Sequence, residues 1–108
     1  MMTGVSLVYV TAESPEQAQA IGHALVEEHI AACANIIPGM RSIYWWQGKL
    51  EEADETVLIV KTRSENVGAV IRRVKELHSY SVPCVLAWPI DAGNSDYVNW
   101  LLGEARTS

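Results

Sequence analysis

The sequence predicts an α+β fold with the element order β-α-β-β-α-β-α. Three observations predict it. Apolar, largely β-branched runs recur at Val5–Val10, Ala34–Ile37, Ser42–Trp46, Thr56–Arg63 and Cys84–Trp88. Two long stretches between them carry apolar residues at helical spacing. The dipeptide Gln47-Gly48 before Lys49 marks a turn that makes the two middle strands a hairpin.

Val5 to Val10 is apolar almost throughout, as expected of a strand covered on both faces. Ser14-Pro15-Glu16-Gln17 then forms a capping box, with Ser14 over the Gln17 amide and Pro15 at the first helical position. Ala18, Ile21, Leu25 and Ala32 lie on one stripe, so the first helix is expected over 15–32. Pro38-Gly39 interrupts the second strand, as at a bulge or bend. After the turn the chain returns from Leu50, kept wet by Glu51, Glu52, Asp54 and Glu55. The third strand, 56–63, then puts Val57, Ile59 and Lys61 on one face and Leu58, Val60 and Thr62 on the other.

Ser64 is expected to cap a second helix. Its stripe is Val67, Val70, Ile71, Val74 and Leu77, and Arg72, Arg73, Lys75 and Glu76 form its wet face. Pro89 ends the fourth strand or marks an edge position. Asn94-Ser95-Asp96 opens a last short helix with Tyr97, Trp100 and Leu101 facing inward. Two β-α-β units sharing a hairpin make the split βαβ of the ferredoxin-like fold. Right-handed crossovers place both long helices on one face of the sheet. The other face is apolar and uncovered, and a second copy of the chain is its simplest cover.

With 108 residues, the chain has the size of one domain, 1–108. Apolar residues at 49% and charged residues at 19% exclude disorder. Thirteen acids against eight bases leave a formal charge of −5, and a pI near 5.0 opposes nucleic-acid binding. The excess sits in residues 1–54, where seven acids face only Arg41 and Lys49. An acidic, solvated surface explains this better than a weak cation preference does. No apolar run is long enough to span a bilayer, and Met1 to Ser6 lack the basic start of a signal peptide. Two cysteines are too few for a disulfide scaffold, so a reduced, cytoplasmic protein is expected.

Cys33 follows the first helix, His78 ends the second and Cys84 opens the fourth strand. These three are the candidate metal ligands. They converge only if the fold brings them across one end of the sheet or across a subunit boundary. Their spacing is not that of a zinc finger, and free cysteines are most often buried small hydrophobes. No phosphate-binding glycine loop follows the first strand, and nothing supplies an oxyanion loop, so no catalytic residue is assigned. Tyr44, Trp45 and Trp46 are consecutive, so at least one large ring points away from the subunit's own core. Rings so placed are interface anchors.

Taken together, Ala31 to Gly39, Ser42 to Lys49, Glu55, Lys61-Thr62, His78, Tyr80, Pro83 and Asp96 to Leu101 resemble the CutA divalent-cation-tolerance proteins. The resemblance implies a ferredoxin-like subunit of a tight homotrimer related to PII signalling proteins. It also implies a role in metal tolerance with copper binding, no settled catalytic reaction, and an intersubunit pocket lined by Lys61, Tyr80 and Trp100. The family usually reads His-Pro-Tyr-Glu and then Pro-Glu; here the chain reads His78-Ser79-Tyr80-Ser81 and then Pro83-Cys84. A thiol in place of a carboxylate shifts preference toward copper(I) or zinc, unless the site is simply lost. No metal is expected to be needed for folding, because the core is long enough without one. The rival expectation is a PII-like sensor that takes a small anionic or amphipathic ligand between subunits. A third is a structural trimer that anchors another protein.

Overall fold

The computed structural model describes residues 2–107; residues 1 and 108, the ends of the expected domain, lie outside the described residues. The elements are β1 (Val5–Ala12), α1 (Pro15–Glu27), β2 (Cys33–Trp46), β3 (Lys49–Arg63), a 3-10 turn (Ser64–Asn66), α2 (Val67–Leu77), β4 (Val85–Pro89) and α3 (Ser95–Glu104). One four-stranded sheet runs in the order β2-β3-β1-β4, antiparallel at each junction. This is the split βαβ order that the sequence predicts.

Strand alternation sets the layers. Val8 pairs with Val60 and Val10 with Leu58, and all four are fully buried. Together with Ala18, Ile21 and Leu25 of α1 and Val70 and Val74 of α2 they form the main core. Leu7, Tyr9, Ile59 and Lys61 alternate with these residues and so occupy the opposite face. A smaller cluster of Val5, Ala32, Leu101 and Ala105 docks α3 at one end of the sheet. The rest of that face stays open, with Leu86 and Trp88 exposed on edge strand β4.

The hairpin of β2 and β3 runs past the helices and gives the molecule its 44 Å long axis. Gln47 and Gly48 both take positive φ, 49° and 79°, in a two-residue turn between paired Trp46 and Lys49. Such a turn follows the twist of the strands it joins. The expected interruption lies at Pro38-Gly39, where the register shifts between Ile37 and Met40 and Gly39 has φ 84°.

Several boundaries and contacts differ from the sequence reading. The first helix ends at Glu27 rather than at residue 32. His29 enters the left-handed region at φ 58°, and the amides of Ile30 and Ala31 both return to the Leu25 carbonyl. Ala32 keeps the helical period but is held by the sheet, its amide donating to the Lys61 carbonyl at 2.9 Å. Ser64 does not cap α2. Its hydroxyl meets that of Ser6 at 2.8 Å, and a 3-10 turn precedes the helix. The third strand starts at Lys49, because the whole return leg of the hairpin is paired. Glu55 is not wet but 9% exposed: it lies on the face of Val57 and Ile59, and Tyr80 from the α2–β4 connection covers it there. In α3, Leu101 faces in as expected, whereas Tyr97 and Trp100 are 43% and 45% exposed.

Candidate functional site

The open face of the sheet carries the site. Beyond the bulge, β2 pairs Met40 with Glu55, Ser42 with Ala53 and Tyr44 with Glu51. Alternation therefore puts Ser42, Tyr44 and Trp46 on the face of Glu55, and Ile43 and Trp45 on the other. β1 adds Tyr9 and Thr11 to the site face, and the connection from α2 to β4 closes one side with Tyr80, Ser81, Val82 and Cys84. These residues enclose a cavity of about 600 Å³.

Glu55 lines it towards the Thr11 end. The Tyr80 hydroxyl donates to Glu55 Oε2 at 3.0 Å. Burial, reinforced by that bond and by the Glu55 charge, pushes the Tyr80 phenol up to about 12. Burial also pushes the Cys84 thiol up; a side-chain hydrogen bond with Thr11 partly offsets this, and the Glu55 charge adds to it. Cys84 is thus a thiol that holds its proton until something displaces it.

His78 supports the cavity from behind. It caps α2, its amide donating to Val74 at 2.8 Å. The imidazole Nε2 donates to the Thr11 carbonyl at 2.7 Å, and Nδ1 accepts from the Tyr80 amide at 3.1 Å. Both ring nitrogens are engaged, so neither is open to a metal in this arrangement. His78 and Cys84 thus meet at Thr11. Cys33 is elsewhere: it pairs with Lys61, four β3 residues and about 13 Å from the Val57 level that faces Thr11. It lines a separate cavity of about 550 Å³ beside α1, with His23 and Glu27. Among the described residues, no group of three or more His, Cys, Asp or Glu side chains is arranged to hold a metal ion within one chain.

The proposed pocket residues also separate within one subunit. Lys61 Nζ donates to the Tyr97 hydroxyl at 3.1 Å and lies 5.3 Å from that ring's centre. Tyr97 in turn packs on Trp100, ring centres 5.4 Å apart. Tyr80 belongs to the Glu55 cavity instead. Sequence reasoning missed Glu55 as a buried group and Tyr97 as the partner of Lys61. The period-two alignment of Glu55 with Val57 was the available signal for the first; the second depends on how α3 docks.

With this geometry in hand, the decisive comparison is with protein families. Residues 6–104 match the model of the CutA1 divalent ion tolerance protein. The chain belongs to the CutA1 divalent ion tolerance family. Among its relatives, the divalent-cation tolerance protein CutA of Thermus thermophilus is 48% identical over 95 residues, 88% of this chain and 92% of that one. The CutA of Archaeoglobus fulgidus is 45% identical over 96 residues, 89% and 93% of the two chains. The chain spans 58% of the length of a chloroplastic CutA 1 from Oryza sativa, with 42% identity over 102 residues, 94% of this chain. The solved CutA1 structure from Oryza sativa superposes with a TM-score of 0.94 at 40% identity, covering 99% of this chain and 98% of that one.

Proposed function

We propose that the protein is a homotrimeric metal-tolerance protein of the cytoplasm that binds copper, as copper(I), without catalysing a reaction. The observation that carries the metal reading is the Cys84 thiol sharing a cavity with the buried Glu55 carboxylate. A soft sulfur beside a single carboxylate favours copper(I) over hard ions. One chain supplies too few ligands, so a neighbouring subunit completes the set, with Cys33 the available second thiol. His78 joins only by releasing Thr11 or Tyr80. Its committed nitrogens also leave none to act as a base toward Cys84, which supports a binding role over nucleophilic catalysis.

The trimer reading rests on uncovered apolar surface. Trp45 is 72% exposed, flanked by exposed Ile43 and Leu50, and Leu86 and Trp88 line the open edge strand. Trp45 anchors the contact from one face of the hairpin, and Tyr44 and Trp46 from the other. The cytoplasmic reading rests on two free thiols of intermediate exposure. The Archaeoglobus fulgidus CutA structure is described as periplasmic, so fractionation of cells producing this chain is the direct check.

A second reading is favoured by Lys61, Tyr97 and Trp100. A cation on a ring pair beside the open face would take a small anionic ligand once Tyr80 of the partner subunit approached it. Calorimetric titration with copper(I), zinc and nucleotides separates the two readings. Tight copper(I) binding lost in Cys84→Ser supports the first; nucleotide binding lost in Lys61→Ala supports the second. The fold itself needs no metal, so a strong chelator should leave the melting temperature of metal-loaded protein within a few degrees.

A further inference from the structure

We propose that His78 is not a ligand of the metal site around Cys84 but the residue that positions it. The role rests on the copper(I) reading and deepens it. Three observations carry the assignment. The first is the commitment of the ring. His78 is 8% exposed, and its two nitrogens are used in opposite senses. Nε2 donates to the Thr11 carbonyl at 2.7 Å, and Nδ1 accepts from the Tyr80 amide at 3.1 Å. These bonds select one neutral tautomer, with the proton on Nε2. A metal needs a ring lone pair, and the one on this ring points at the Tyr80 amide. Turning it away would leave the Thr11 carbonyl and the Tyr80 amide without these partners.

The second observation is what those bonds join. β4 pairs with β1 only as far as Val10, so Thr11 lies one residue past the last rung. His78 caps α2, and its ring therefore ties the end of that helix to β1 where strand pairing stops. On its other side it holds Tyr80, through the amide bond and through ring contact, the centroids 4.7 Å apart. Tyr80 passes the restraint to Glu55 of β3 by its hydroxyl. One side chain thus links α2, β1 and the connection that leads to β4.

The third observation is the place of Cys84. It stands between that connection and the first rung of β4, where Val85 meets Val10. Only residues 81–83 separate it from Tyr80. Cys84 and His78 also share one anchor: the side chain of Thr11 bonds the sulfur, and its carbonyl takes the ring. The imidazole therefore holds both the strand end beside the sulfur and the chain that delivers it. Groups that orient a ligand in this way change metal affinity by about tenfold to a hundredfold when removed.

The test compares His78→Gln with His78→Leu in the full-length protein, in its native assembly. Glutamine ends in a donor and an acceptor, so it can serve both the Thr11 carbonyl and the Tyr80 amide, but it is no soft ligand. Leucine fills the space and serves neither. Copper(I) affinity, read by competition with a chromophoric chelator, should stay within about threefold of wild type in His78→Gln and fall about tenfold or more in His78→Leu. In metal-free protein, exchange of the Tyr80 amide should be slow in the wild type and His78→Gln and faster in His78→Leu. Nitrogen NMR of wild-type His78 should show the tautomer protonated at Nε2 and keep it when copper(I) is added. Circular dichroism establishes that each variant is folded. A loss of about tenfold or more in folded His78→Gln, or a His78 nitrogen that moves to a coordinated shift with copper(I), overturns the proposal by showing the ring to be a ligand. Undiminished affinity in folded His78→Leu overturns it as well, since the ring then positions nothing. These outcomes leave the metal reading standing; absence of copper(I) binding by the wild type overturns that reading and this role together.

Discussion

The Tyr80 hydroxyl lies 3.0 Å from Glu55 Oε2, joining the loop after α2 to the middle of β3. That bond ties together two elements that line the cavity. It also makes the folded state sensitive to alkaline pH. The Tyr80 phenol stands at about 12 in the fold against an ordinary value of 10.0. A phenol raised in the fold contributes stability that is fully present below pH 10 and is lost as pH rises through 12. Urea midpoints of the wild type should therefore fall between those limits by more than those of Tyr80→Phe. Parallel curves for the two proteins would refute the assignment.

Copper(I) affinity should rise with pH. The metal takes the thiolate, and the Cys84 thiol is pushed up by burial and by Glu55, so each binding event displaces a proton. Cys84→Ser should weaken binding at least about tenfold, the effect of losing a single soft ligand. Competition with a chromophoric copper(I) chelator at several pH values measures both effects. A flat pH profile would mean that copper(I) binds elsewhere.

Trp45→Glu should dissociate the assembly. Trp45 is 72% exposed on the hairpin face away from the cavity, where a charge cannot be sheltered within its own subunit. A stable trimer contact should bury more than about 1,000 Å² at each interface. Sedimentation at micromolar concentration should give a trimer for the wild type and a smaller or aggregated species for the variant. A wild-type monomer would end the trimer reading at once.

Arg63→Ala should loosen the C-terminal helix before the core. Arg63 Nε donates to the Ala105 carbonyl at 2.6 Å, and its Nη2 donates to the Leu102 carbonyl. Charged donors to otherwise unpaired helix-end carbonyls are worth about 2–3 kcal/mol together. Amide exchange should speed up in α3 first, and Arg63→Lys should recover little, since one ammonium does not match the fork. Uniform acceleration across the sheet would show that α3 is no separate unit.

The sequence by itself determined the strand and helix order, the capping of α1 by Ser14, the bulge at Pro38-Gly39 and the turn at Gln47-Gly48. These are local matters of alternation, caps and turn chemistry, and neighbouring residues decide them. Its resemblance to the CutA proteins was also legible, because it rests on many short motifs in order. The tertiary structure decided what depends on distant partners. Helix α1 stops at Glu27 where His29 turns left-handed, and Ala32, on the same apolar period, is held instead by the Lys61 carbonyl of β3, a contact 29 positions away that no local period encodes. Ser64 loses its cap role to Ser6 of β1. Lys61 turns to Tyr97 and Tyr80 to Glu55, so the expected pocket divides in two within one subunit. Cys33 and Cys84 fall at different levels of the sheet, because register across three strands, not spacing along the chain, sets which side chains meet.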